Sequence, residues 1–166
     1  MTATCDGITV VNVYVPNGRV VGSEHYAYKL TWLQRLAAHV DTVAAPGDPV
    51  IVAGDFNVAP ADADVYDPVA FEGETHVTEP ERASVAALVE RGFRDVFRLQ
   101  HPDAEKAFSW WDYRRGDFHE GRGMRIDLVL ASPPIADRVE WCIIDRNARK
   151  GQQPSDHAPV VVDLAG

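Results

Sequence analysis

The sequence predicts one α/β domain over residues 1–166, with a mostly antiparallel sheet and helices packed against it. Three observations carry that prediction. Short runs rich in β-branched residues recur at Ile8–Val15, Val50–Ala53, Ile126–Ala131 and Val160–Leu164. One segment has apolar residues at helical spacing, and a second opens on a helix-capping motif. The length suits a single domain with a sizeable core, and no repeat, linker or low-complexity tract divides it.

The first strand, Ile8 to Val15, ends at Pro16, and a loop carrying Asn17-Gly18 follows. Leu30, Leu33, Leu36, Ala37, Val40 and Val43 then predict an amphipathic helix from about His25 to Ala44, stopped by Pro46-Gly47. Val50–Ala53 is wholly apolar, as a central strand should be. The acidic stretch after Asn57, with Pro60 and Pro68, reads as loop with at most a short helical turn. Thr78-Glu79-Pro80-Glu81 is a capping box with Pro in the first turn, and it opens a helix ending near Gly92. Strand-like pieces follow at Asp95–Leu99, Phe108–Trp111, Arg125–Ala131, Glu140–Ile144 and Val160–Leu164.

The formal charge of −9 argues against a generally adhesive nucleic-acid binder. Its distribution weakens that exclusion. Eight acids and no Lys or Arg lie between Asp55 and Glu81, so the remainder is nearly neutral, with arginines gathered at Arg114, Arg115, Arg122 and Arg125. The acids of the 62–81 stretch read as solvated surface. No run approaches the roughly 18 apolar residues of a membrane span. Met1-Thr2-Ala3-Thr4-Cys5-Asp6 lacks the basic and hydrophobic regions of a signal peptide. Cys5 and Cys142 are far apart and are expected to be reduced thiols in a cytoplasmic protein.

Four polar islands sit at the edges of the apolar runs: Tyr14–Gly18, Gly54–Asn57, Arg125–Asp127 and Ser155–Pro159. Carboxylates, an amide, a phenol and an imidazole at strand ends can converge on one cleft. Alternation along an extended segment puts Asp55 and Asn57 on one face and Phe56 on the other. A carboxylate beside a neutral amide suits activating a water while holding a phosphate oxygen. The competing reading is an Asp/Asn turn that satisfies its own backbone.

Asp156-His157 offers a carboxylate for a hard cation and an imidazole for proton transfer, although a lone histidine is more often structural. Asp127 is a charge inside a hydrophobic strand, costly to bury unless paired. A hydrogen bond to His157 would supply the partner; a salt bridge to Arg125 is disfavoured because neighbours point to opposite strand faces. Trp110-Trp111-Asp112-Tyr113-Arg114-Arg115 reads either as core aromatics beside a solvated turn or as a stacking platform flanked by phosphate-pairing cations.

Val-Tyr-Val-Pro-Asn-Gly at 13–18, Gly-Asp-Phe-Asn-Val-Ala-Pro at 54–60, Phe-Ser-Trp-Trp-Asp-Tyr-Arg at 108–114, Arg-Ile-Asp-Leu-Val-Leu-Ala-Ser at 125–132 and Pro-Ser-Asp-His-Ala-Pro at 154–159 resemble enzymes of the exodeoxyribonuclease III type. These belong to the endonuclease/exonuclease/phosphatase superfamily. The resemblance implies a four-layered α-β-β-α sandwich and Mg²⁺- or Mn²⁺-dependent cleavage of DNA 5′ to abasic sites. It also implies 3′-to-5′ exonuclease and 3′-phosphatase activity on duplex DNA, by a protein that is monomeric when the full fold is present.

By match, Asp55 would orient or deprotonate the attacking water and Asn57 would position it and the phosphate. Asp127 would buttress His157, which contacts the scissile phosphate, and Tyr14 would hydrogen-bond that phosphate. Asp156 would help hold the metal, with Asp55, Asn57 and His157 around it. Lys29 and Arg114 fall where the family contacts DNA. Trp110, Trp111 and Met124 fall at the apolar pocket and wedge for a flipped-out abasic sugar. The resemblance leaves both Asp55 and His157 as candidates for the general base.

The pattern matched is the C-terminal part of the family's. The N-terminal strand bearing an active-site Asn, and the Leu-Gln-Glu segment whose Glu is the principal metal ligand, have no match here. Two other readings stand beside the nuclease: a superfamily phosphatase or phosphodiesterase acting on a small molecule or lipid, and a non-catalytic DNA-binding remnant.

Overall fold

A computed structural model describes residues 1–45 and 47–166, with the backbone alone of Arg115. Pro46 of the predicted helix stop and the Arg115 side chain of the arginine cluster lie outside the described residues. Strand β1 (Thr2–Cys5) pairs antiparallel with β2 (Ile8–Tyr14) through Asp6-Gly7, both at positive φ (49° and 76°). That is the turn an Asp-Gly pair favours, because its twist matches the strands it joins. The hairpin is a correction to the sequence reading, which starts the sheet at Ile8.

Helix α1 (Glu24–Val43) then crosses to β3 (Val50–Asp55), which lies parallel to β2. The Ser23 side chain caps α1 by accepting from the Tyr26 amide at 3.2 Å. Its buried stripe is Tyr26, Lys29, Leu33, Leu36 and Val40. Helix α2 (Glu79–Glu90) begins at the expected Thr78/Glu81 capping box. Both helices cover one face of the sheet, where Val11, Val13, Val50 and Val52 meet Leu33, Leu36, Val85 and Leu88.

The segment Asp95–Leu99 is a strand only at its start. Strand β4 (Arg94–Asp95) pairs briefly with β5 (Asp127–Ala131), and Asp95 then caps helix α3 (Val96–Gln100) by accepting from the Arg98 amide. Phe108–Trp111 is likewise no strand: Trp110 alone makes isolated bridges to Met124 and His157. Strand β5 begins at Asp127 rather than Arg125 because one hydroxyl, Ser109 Oγ, takes the amides of both Ile126 (3.1 Å) and Asp127 (3.0 Å).

Short helices α4 (Asp117–Glu120) and α5 (Pro133–Ala136) flank β5 in sequence, and β6 (Val139–Ile144) pairs antiparallel with β7 (Val160–Leu164). The five-stranded sheet runs β1-β2-β3-β5-β4, antiparallel except for β2–β3. Its second face, at Ile8, Ile51 and Val129, packs on Cys142, Val160, Val162 and Leu164 of the two-stranded sheet. Helices, large sheet and small sheet thus stack in layers, the mixed α/β arrangement predicted. Both cysteines are free. Among the described residues no helix is long and apolar enough to cross a membrane.

Candidate active site

Register brings three of the expected side chains together. Tyr14 at the end of β2 pairs with Asp55 at the end of β3, and Asp55 pairs with Asp127 at the start of β5. Paired residues share a sheet face, so a phenol and two carboxylates stand side by side across three strands. Tyr14 is 70% exposed and free to meet a ligand. Gly54, at φ 139°, lets β3 approach β2 this closely: a Cβ there would sit 2.0 Å from the Val13 carbonyl oxygen.

After Asp55 the chain leaves the ladder. Phe56 is buried in the core, and its amide donates to the Ile126 carbonyl at 2.9 Å. Asn57 then turns into the left-handed region at φ 50°. Asp55 and Asn57 meet through this turn and not through strand alternation, a correction to the sequence argument. The Asn57 amide N–H donates to Asp55 Oδ1 (2.8 Å), and its Nδ2 donates to Asp55 Oδ2 (3.0 Å) and to the Val15 carbonyl (2.8 Å). The Asp/Asn turn and the functional arrangement are therefore one geometry.

His157 completes the cluster. Its Nδ1 lies 2.9 and 3.1 Å from the two oxygens of Asp127, which fixes that nitrogen as the N–H donor and leaves Nε2 without a hydrogen-bond partner among the described residues. The turn carrying His157 is stitched to the segment at 109–111. Trp111 N donates to the Asp156 carbonyl (3.0 Å), Ala158 N to the Ser109 carbonyl (2.7 Å), and Trp110 Nε1 to Asp156 Oδ2 (3.1 Å).

Burial pushes the Asp55 carboxyl up to about 6, with the Asp127 charge adding to it; the Asn57 amide, His157 and Lys29 pull only partly back. For His157, burial opposes the charged ring. The hydrogen bond and charge of Asp127 outweigh it, with Asp55 and Asp156 contributing, so the imidazole titrates above its ordinary value. One group is poised to gain a proton near neutrality and its neighbour to hold one.

The expected DNA-contact residues divide. Trp110, Met124 and Arg114 line one cleft of about 270 Å³ with Tyr66, Phe71 and Asp112. Met124 is only 1% exposed, so it forms the wall of that cleft and not a protruding wedge. Trp111 is 2% exposed and faces away, packed edge-on against Phe118 at 5.2 Å. Lys29 is a clear correction. It is 0% exposed, ion-paired with Glu81 and hydrogen-bonded to the Asn57 carbonyl at 2.6 Å, so its ammonium reaches no DNA-accessible surface.

Two acids of the 62–81 stretch are also corrected, from solvated to buried. Asp64 pairs with Arg125 (2.7 Å) and with Arg98, and Asp95 takes the far end of Arg125 at 2.8 Å. Glu81 accepts from Lys29, the Thr75 hydroxyl, the His76 amide, and the Thr78 amide and hydroxyl. Burial alone would raise the Glu81 carboxyl, but the Lys29 charge and these donors win and hold it below its ordinary value. Burial, with Lys29 beside it, pushes His76 down to about 4, so that ring is neutral at physiological pH.

The donor set does not by itself fit a hard divalent cation, which takes about six or more oxygen ligands. Among the described residues no group of three or more His, Cys, Asp or Glu side chains could hold one. The nearby oxygens are engaged already: both of Asp55 by Asn57, both of Asp127 by His157, and one of Asp156 by Trp110. The set Asp156, Asp55, Asn57 and His157 expected around Mg²⁺ or Mn²⁺ is thus not assembled as a cation site.

A strand-end carboxylate stands beside a carboxylate-buttressed histidine on this layered scaffold, and comparison with known proteins identifies the family. The chain belongs to the endonuclease/exonuclease/phosphatase family, whose model matches residues 2–157. Within that family it is similar to exodeoxyribonucleases. It is 33% identical to the exodeoxyribonuclease of Bacillus subtilis over 96% of this chain, and 32% identical to exodeoxyribonuclease III of Haemophilus influenzae over 92%. It spans 61% and 60% of the lengths of these two curated relatives.

Solved structures agree. An AP endonuclease from Archaeoglobus fulgidus superposes with a TM-score of 0.94 at 38% identity, over 98% of this chain and 63% of that one. A 3′ phosphatase from Neisseria, bound to a product DNA hairpin, gives 0.94 at 35% identity, over 99% and 64%.

Proposed function

We propose that this centre hydrolyses phosphodiester bonds of DNA in the exonuclease III manner, 5′ to abasic sites, with 3′-to-5′ exonuclease and 3′-phosphatase activity. The observation that carries the reading is the register of Tyr14, Asp55 and Asp127 across three strand ends, with His157 locked on Asp127. The names of the relatives support DNA as the substrate.

In this reading Asp55, ionised above about pH 6, takes a proton from the attacking water. The water oxygen bonds to phosphorus as the P–O3′ bond breaks, and the 3′-oxygen leaves to take a proton from solvent. Asn57 spends its donors on Asp55 and Val15, so it aims Asp55 and does not itself hold the phosphate. His157, whose charged form Asp127 favours, donates from Nε2 to a phosphoryl oxygen when protonated, and the exposed Tyr14 hydroxyl donates to another. The Trp110–Met124 cleft takes the extruded sugar, with Arg114 at its rim for a flanking phosphate.

An incision assay on a duplex carrying an abasic analogue, run with Mg²⁺, with Mn²⁺ and with EDTA, tests the proposal. Cleavage on the 5′ side of the lesion is expected, and its loss in His157→Ala. Turnover of small phosphoesters without duplex cleavage would transfer the site to the phosphatase branch. Binding of the duplex with no cleavage at any metal concentration would make this a DNA-binding module.

A further inference from the structure

Lys29 sits on the buried stripe of α1, one turn before Leu33, where spacing asks for an apolar residue. Its ion pair with Glu81 is wholly enclosed, both side chains at 0% exposure. A buried pair of this kind is a weak source of stability, because desolvating two charges offsets most of their attraction. What the pair does is visible at its far end. Asn57 is a non-glycine residue in the left-handed region, and its carbonyl points inward, away from any strand partner.

Both lone pairs of that carbonyl are taken, by Lys29 Nζ at 2.6 Å and His76 Nδ1 at 2.6 Å. A carbonyl only accepts, so Nδ1 is the protonated nitrogen of His76. Glu81 in turn is saturated by donors from Lys29, Thr75, His76 and Thr78. Tyr26, on the same face of α1, closes the network through the Thr78 hydroxyl at 2.6 Å. The fixed residue is the one that grips both oxygens of Asp55.

We propose that Lys29 is a positioning residue of the hydrolytic centre: aligned by Glu81, its ammonium fixes the Asn57 carbonyl and, through Asn57, the aim of Asp55. The assignment rests on the reading of Asp55 as the base. It replaces a DNA contact by Lys29, and it extends the functional unit to α1 and the capping box of α2. The chain of contacts runs from Glu81 to Lys29, to Asn57, to Asp55, each link a hydrogen bond between named atoms.

The test uses the full chain and the double variant Lys29→Met/Glu81→Gln, which removes both charges together and leaves neither one buried alone. Thermal melting close to that of the parent chain is expected, since no unpaired charge is created. The Asn57 side-chain amide protons, followed by NMR, should shift and exchange faster. On abasic duplex kcat should fall about a hundredfold, the scale of a small misplacement, with KM little changed. The salt dependence of DNA binding should keep its slope.

Unchanged Asn57 amide signals with unchanged kcat overturn the proposal. An unfolded double variant does so too, by making the pair purely structural. A salt slope reduced by about one would return Lys29 to a phosphate contact. Should the parent chain leave abasic duplex uncut, the functional reading fails, while the NMR arm still decides the role of Lys29.

Discussion

The two halves of the centre are each supported from behind by a buried cation, and the cations are neutralised in different ways. At the strand end, Lys29 donates to the carbonyl of Asn57 and is countered by Glu81. At the turn, the guanidinium of Arg149 donates to the carbonyl of Ser155, directly before Asp156-His157. No carboxylate partner of Arg149 is found among the described residues; its charge lies over the rings of Phe118 (4.8 Å), Tyr113 (5.5 Å) and Trp111 (5.7 Å). In both places a main-chain oxygen beside a site residue accepts from a buried cation, whose charge is countered once by a carboxylate and once by aromatic faces.

That difference has a structural reason. The strand end is enclosed by α1 and the start of α2, where a full set of polar partners is available. The turn lies against the aromatic segment 108–118, whose Trp111, Tyr113 and Phe118 rings meet the Arg149 guanidinium. The Tyr113 hydroxyl adds a second tie by donating to the Pro154 carbonyl at 2.7 Å. Of the two halves, it is the turn that keeps buried nitrogens without a hydrogen-bond partner among the described residues, Trp111 Nε1 and Arg149 Nε.

Removing the reacting group from either half should have the largest effect. Asp55→Asn and His157→Ala are each expected to lower kcat on abasic duplex by about 10²- to 10⁴-fold, the usual reach of positioned acid–base groups. Single-turnover kinetics would check both, and an active Asp55→Asn variant would refute its role. The supports should separate next. Glu81→Ala strands a buried ammonium and should cost about 3–5 kcal/mol of stability, whereas Arg149→Met gives up aromatic contacts worth about 1–2 kcal/mol. Denaturant titration measures both; equal costs would erase the distinction between the halves.

A smaller effect is expected for Asp127→Asn, which keeps a hydrogen-bonding shape beside His157 but removes the charge. Activity should drop by about ten- to a hundredfold, as for other partners that orient a functional histidine. The pH profile then sharpens the assignment. Asp55 has a raised pKa, so its base form, and with it turnover, should be lost as pH falls through about 6. His157 is also raised, so its protonated form is lost as pH climbs past its elevated value. Asp127→Asn should move this alkaline limb to lower pH, and the acid limb by less in the same direction, because the Asp127 charge also raises Asp55. A larger movement of the acid limb than of the alkaline one would exchange the roles of the two groups.

Much of this was legible in the residues. Strand β7 and the capped start of α2 follow from local patterns, and the preference of Asp127 for His157 over Arg125 follows from strand geometry. The rest depended on partners distant in sequence. An acidic run reads as solvated until Arg125 and Lys29 arrive to bury Asp64 and Glu81. Ser109 sets where β5 starts through a single hydroxyl, which no periodicity reports. Two signals were present and unused: Asp6-Gly7 marks a hairpin, and the spacing of Tyr26, Lys29, Leu33, Leu36 and Val40 already places a lysine on the apolar face of α1.

The central claim is that Asp55 and the Asp127–His157 pair form one phosphodiester-cleaving centre. Gel analysis of an end-labelled abasic duplex, treated with the parent chain, Asp55→Asn and His157→Ala, tests it most directly. A single incision 5′ to the lesion is expected from the parent chain, and loss of that product from both variants, with duplex binding retained. The same incision from either variant, or an uncut duplex with the parent chain, would contradict it.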